Sequence, residues 1–182
     1  MFSHDTTLSL QAAAALVNTG RMRDGVDRLE TAAELDAFYV AHGYEGHGPH
    51  DEDDVIAVRH TRDGVARLWE VERDEAVALV NSWLLEGDAR PQLVRHGDWD
   101  WHLHAHAPDA TLAVQISVET AMALIDVVRS GAFDRLRACE GEGCSAVLVD
   151  LSRNSSRRFC DVNNCGNRAH VEAYRARQAA QD

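Results

Sequence analysis

The sequence predicts an α+β chain: a mainly helical N-terminal domain with one small β-hairpin over residues 1–130, followed by a compact four-cysteine module over 133–180. Three observations carry this. Apolar residues recur at helical spacing through five stretches before residue 131. Residues 92–106 switch to alternation on either side of Gly97-Asp98, the pattern of two short paired strands. The four cysteines all fall near the C-terminus, as Cys139-x4-Cys144-x15-Cys160-x4-Cys165.

Residues 8–18 are apolar and Ala-rich, which reads as a helix, with a short strand as the alternative before Asn18-Thr19-Gly20. Residues 21–25 form a polar loop. Thr31 followed by Glu34 is a capping box that opens a helix through Ala33, Leu35, Phe38 and Tyr39. The Gly-rich, acidic run 43–54 is a loop. Val55, Val58, Val65 and Leu68-Trp69 share one helical face, weakened at Gly64. Asp74 is the expected cap of the next helix, with Ala76, Leu79, Val80, Trp83 and Leu84 inward and Gly87 as its end. After the hairpin, a strongly apolar helix is expected over 112–130, with Val118, Ala121, Met122, Ile125 and Val128 inward and Gly131 as its stop. A hinge is expected near residues 130–133.

Each close cysteine pair can present two thiolates to one ion, and the intervening loop can bring the pairs together. Four sulfurs close a tetrahedral shell, as in structural Zn2+ sites, and leave no position for an activated water. A segment of about 45 residues buries too little surface to fold securely alone, so a metal staple has an evident use. The glycines of Cys139-Glu-Gly-Glu-Gly-Cys144 suit a tight turn around the ion. A strand over 146–149, a turn over 153–155, a returning strand over 157–159 and a helix over 167–178 complete a treble-clef-like zinc finger with four cysteine ligands. Phe159 is expected in its small core.

The stretch Leu148-Val-Asp-Leu-Ser-Arg-Asn-Ser-Ser-Arg-Arg-Phe-Cys160, with Cys165-Gly166-Asn167-Arg168 four residues on, resembles the CGNR zinc-finger family over about residues 135–178. Proteins of that family look like stress-induced bacterial transcription regulators in which the finger follows an ABATE-type domain. Residues 8–129 are similar to that domain in the Leu-Val-Asn-Thr opening (16–19) and the order of helices. The resemblance implies a DNA-binding regulator whose N-terminal domain senses a small-molecule effector or forms a homodimer. The alternative is a zinc-stabilised protein-interaction module without DNA binding.

Net charge is −12, which at first argues against a nucleic-acid partner, but the distribution is uneven. Residues 129–182 carry nine Arg against seven acids, whereas 1–128 carry nine Arg against twenty-three. On the last helix, 100° per residue sets Arg168 and Arg175 within about 20° of each other. His170, Tyr174 and Arg177 lie roughly opposite, with Ala169, Ala173 and Ala176 between as a strip suited to close packing. With Arg153, Arg157 and Arg158, six guanidiniums could meet phosphates or base edges. The chain has no lysine, so the bland reading is that any solvated helix here would carry Arg. Arg168 has two readings of equal weight, DNA contact or a brace within the finger through Asp150 or Asp161.

His102, His104 and His106 alternate along one strand and would line up about 7 Å apart on one face. Trp99, Trp101, Leu103 and Ala105 occupy the other face, so the histidines read as its wet side, with metal binding the lesser alternative. His42, His47 and His50 in the acidic loop read as structural. Asn18 and Arg21 are candidate ligand contacts, although Asn18 also reads as a helix terminator. No Walker loop, nucleophile elbow or dinucleotide fingerprint is present, so no catalytic residue is assigned and an enzyme is not expected. The start lacks a secretory signal and no apolar run spans a membrane, so a cytoplasmic protein without a membrane partner is expected.

Overall fold

The computed structural model describes residues 2–46, 48–95 and 100–180. His47, and Gly97, Asp98 and Trp99 at the expected hairpin turn, lie outside the described residues. The architecture is α+β: helices α1 (His4–Thr19), α2 (Ala32–Ala41), α3 (Glu52–Ala66), α4 (Arg73–Glu86), α5 (Leu112–Arg129) and α6 (Cys165–Ala179), with two antiparallel hairpins. The first pairs β1 (Gln92–Val94) with β2 (His102–His104), and the second pairs β3 (Leu136–Ala138) with β4 (Val147–Val149).

Helix α1 is helical throughout 8–18. Its alanines bury on several sides, because small side chains let neighbouring helices approach closely. Helix α5 packs against α1, α3 and α4. That many-sided contact turns it from the expected face: Ala123, Leu124 and Val127 are buried with Val118 and Ala121, while Met122, Ile125 and Val128 are only partly covered. Gly131 takes φ +70° and stops the helix as expected. The Thr31–Glu34 box caps α2. Asp51 begins α3 with a second box, inside the run read as a loop, because Asp54 can close the reciprocal bond that Glu or Gln usually makes. Asp74 is not a cap. It lies in the first turn of α4 after Glu72, where a carboxylate still favours the helix dipole.

Strand β4 joins two cores. Val147 and Val149 face the apolar cluster of Leu10, Ala14, Val17, Val65 and Val80, whereas Leu148 faces Cys139, Ala146, Cys160 and Cys165. Side chains alternating across a strand let one three-residue segment serve both sides. Its pairing partner is β3, not the expected 157–159. Residues 157–158 instead cross the knuckle, where the Glu140 amide donates to the Arg158 carbonyl (2.9 Å). The cause is Asp150, which is fully buried and turns the chain by accepting from the Ser152 amide (2.9 Å) and Arg157 amide (2.9 Å) beside the Arg137 guanidinium (3.1 Å).

The first hairpin departs from the expected faces at three positions, while Ala105 is buried as expected. His102 is 8% exposed, while Leu103 is 43% and Trp101 62% exposed. Imidazoles can be buried where their nitrogens find partners, and here they do. His102 Nδ1 meets the Asp100 carbonyl (2.8 Å), and His106 meets Glu119 (3.3 Å) and the Ala107 carbonyl (3.0 Å). Arg95 lies over the outward Trp101 ring at 5.4 Å. Among the described residues no helix is long and apolar enough to cross a membrane.

Candidate metal centre

The knuckle between β3 and β4 brings Cys139 and Cys144 to one point, and the start of α6 brings Cys160 and Cys165 to the same point. All four sulfurs lie within 4.8 Å of one another, and none is in a disulfide. A tetrahedral Zn–S bond of about 2.3 Å gives S···S edges of about 3.8 Å, against about 2.05 Å for a disulfide. Cys144 and Cys160 stand 3.8 Å apart. The four cysteines are therefore positioned to bind one zinc ion, with no position left for a reacting water.

The backbone presses close to the sulfurs. A Cβ on Gly141 would stand 2.6 Å from Cys165 Sγ, so only glycine fits. The Gly141 amide (3.4 Å) and Cys160 amide (3.2 Å) donate to Cys139 Sγ, and Asn163 Nδ2 donates to Cys144 Sγ (3.4 Å). As thiols, Cys144, Cys160 and Cys165 would titrate apart. Burial pushes Cys160 and Cys165 up. At Cys144 burial is outweighed by hydrogen bonds, the Ala146 amide first and then Asn163, which lower it to about 7. A dication favours the thiolate at all four positions. Phe159 packs against the cysteines as expected, and the Arg158 guanidinium lies 5.6 Å over its ring.

Asn163 is the residue that sequence reasoning missed. Besides Cys144, its side chain donates to the Arg21 carbonyl (3.1 Å) and accepts from the Arg23 amide (3.0 Å). It thus ties a metal ligand to the loop after α1. Its place two residues before Cys165 offered only a polar turn residue as a signal. Asn18 and Arg21, expected as ligand contacts, lie on the same joint. Asn18 donates to the Val147 carbonyl (2.9 Å) and accepts from its amide (2.8 Å). Arg21 reaches the Ser145 carbonyl (3.2 Å) and Glu70 (3.0 Å). Trp69 adds a bond from its indole to the Leu148 carbonyl (3.0 Å). Thr19 also has a structural partner, the Arg62 guanidinium (2.9 Å), which is itself bidentate to Asp27 (2.7 and 2.8 Å).

The six candidate nucleic-acid arginines divide. Arg157 pairs with Asp161, and Arg158 pairs with Glu140 (2.5 Å). Arg153, Arg168, Arg175 and Arg177 are exposed, and among the described residues they make no ion pair. The brace expected from Arg168 to Asp150 or Asp161 is therefore made by Arg137 and Arg157 instead. Helix α6 buries only Cys165 of its fifteen residues. Ala173, Ala176, Val171 and Tyr174 all face solvent with the arginines, so of the small-residue strip only Ala169 is partly covered.

Two family models match the chain. The CGNR zinc finger matches residues 135–178, and ABATE, described as "Putative stress-induced transcription regulator", matches residues 10–131. No curated protein matches the sequence.

Proposed function

The chain belongs to the ABATE family and carries a CGNR zinc finger, and from that premise we propose that it is a zinc-dependent DNA-binding transcription regulator. In this reading residues 133–180 dock on DNA, and residues 1–130 sense a small-molecule effector or form a homodimer. It works in the bacterial cytoplasm, where a reducing environment keeps the four thiolates available to zinc. It catalyses no reaction.

The observation that carries the reading is α6, a fifteen-residue helix anchored at one end by a zinc ligand and solvent-exposed from residue 170 onward. A helix this short has little stability without packing, so a partner surface would complete it. Its charges suit a polyanion: Arg168, Arg175 and Arg177 against Glu172. Arg153 on the neighbouring loop adds a fourth open guanidinium. Arg157 and Arg158 form partly exposed pairs that hold weakly and can exchange a carboxylate for a phosphate. The acidic N-terminal region would face away from the duplex and limit non-specific adhesion. A homodimer would present two such helices to successive half-sites.

Fluorescence anisotropy of zinc-loaded protein with genomic fragments tests this. Four phosphate contacts predict that log K falls with log salt at a slope of about −3.6, and Arg175→Ala/Arg177→Ala reduces the slope by about 2. Absence of binding at about 50 mM salt defeats the proposal, since non-specific contacts alone should register there. The protein-interaction alternative draws support from the joint at Asn18 and Asn163, and would be favoured if partner capture survived that double substitution.

A further inference from the structure

At the other end of α1 from the finger lies a cavity of about 370 Å3. It is bounded by the first three turns of α1, residues 42–45, the inner face of β2 and one side of α5. That volume falls in the range of small-molecule sites. The cavity shares no lining residue with the metal centre.

Two features show that this space is built and not left over. First, β2 turns His102 and His104 into it, beside Ala105 and part of Leu103, while leaving the Trp101 indole exposed. Transfer free energy favours burying the indole over the imidazole, so His102 is held inward by its bonds to the Asp100 carbonyl (2.8 Å) and to His104 (3.1 Å). Second, the lining is charged in one sense. Asp5, Glu45, Glu119 and Asp126 contribute carboxylates, against Arg129 alone among the guanidiniums. The Glu119 carboxylate beside His106 raises the pKa of that imidazole. Burial lowers the pKa of His42. Thr6 donates to Asp126 (2.6 Å) and the Leu103 amide to Asp5 (3.4 Å), bonds that orient both carboxylates without cancelling their charge.

Interleaved with these groups on α1 and α5, Leu8, Ala12, Met122, Ala123 and Ile125 line the cavity with apolar surface. The face of an aromatic ring, here Tyr44, attracts cations as well. We propose that the cavity is an effector site for a small organic cation, an amine or ammonium group on an apolar body. This rests on the sensing role proposed above and names its ligand class. The occupant would touch the first turns of α1, whose last turn carries Asn18 against Val147. One helix therefore connects this space to the finger.

Calorimetric titration of the zinc-loaded full chain, without DNA, tests the assignment. The probes are 2-phenylethylamine, cyclohexylmethylamine and tetramethylammonium, with 2-phenylethanol and 3-phenylpropanoate as neutral and anionic counterparts. At least one cation should bind with a Kd of about 1 mM or tighter. The alcohol should bind roughly tenfold more weakly, and the carboxylate not at all. Asp5→Asn should weaken the cation roughly fivefold, and Ser9→Trp, which fills the cavity from α1, should abolish its binding while the zinc content is unchanged. The proposal is overturned if no cation binds at roughly 10 mM, if the carboxylate binds as well as the amine, or if both variants bind normally. Uptake of a second zinc ion, lost in His102→Ala, would assign the cavity to a metal and overturn it too. Because DNA is absent, failure of the DNA-binding reading leaves this result standing, and the converse holds.

Discussion

Asn18→Ala should weaken the whole molecule, although Asn18 touches neither a cysteine nor the exposed helix. Its side chain makes two short bonds to the backbone of Val147, at 2.9 and 2.8 Å, and both residues are buried. The substitution leaves an amide and a carbonyl without partners in a place water does not reach. One such group costs about 1–3 kcal/mol, so the pair should cost about 2–5 kcal/mol. For a chain of 182 residues, where each kcal/mol moves the midpoint by about 2–4 °C, that is a fall of about 4–20 °C. Asn18→Asp should do no better, because it sets a carboxylate oxygen against the Val147 carbonyl. Urea unfolding of zinc-loaded protein, followed by circular dichroism and by zinc release to a chromophoric chelator, measures both effects. The exposed Gln11→Ala on the same helix is the control and should stay within about 0.5 kcal/mol. If Asn18→Ala matched that control in both readouts, the joint would carry no energy and the reasoning would be wrong.

Gly141→Ala should lower zinc affinity about 10- to 100-fold in chelator competition, whereas Gly166→Ala, whose new methyl meets only Phe159 at 3.7 Å, should leave it intact. Asp150→Ala should cost about 2–4 kcal/mol in urea unfolding, since it strands the Arg137 guanidinium and the Arg157 amide; the partial exposure of Arg137 keeps it below a fully buried pair. Glu119→Gln should return His106 toward its ordinary value in an NMR titration. Because the folded value is raised, the stability this pair adds is fully present below about pH 6.5 and is lost as pH climbs through the folded value, so the urea midpoints of wild type and variant should converge in alkali.

The metal centre was legible because its chemistry is local. Two cysteine pairs, their glycines and the CGNR tetrapeptide lie within one short segment, and the spacing limits what they can do. The Thr31–Glu34 box and the Gly131 stop were legible for the same reason: they act on their own backbone. What sequence alone could not reveal depends on partners far along the chain. Asn18 and Val147 are 129 positions apart, and nothing near Asn18 announces which backbone it will meet. The orientation of β2 was misread because hydropathy ranks Trp and Leu above His, and takes no account of a carbonyl or carboxylate waiting for an imidazole. The partner of β4 was misread because Asp150 spends its carboxylate on the turn that the returning strand would have needed.

The double allegiance of Val147-Leu148-Val149 sets a rule for anyone building chimeras. Excised alone, the finger would bring two valines into water and lose the asparagine that satisfies its outer edge, so the fragment should clump however well it holds its ion. A transplanted finger would need the end of the first helix, and the indole near position 69, moved with it. Recombination between relatives at the apparent boundary should therefore fail, while exchange upstream of the first helix, or beyond Cys165, should be tolerated.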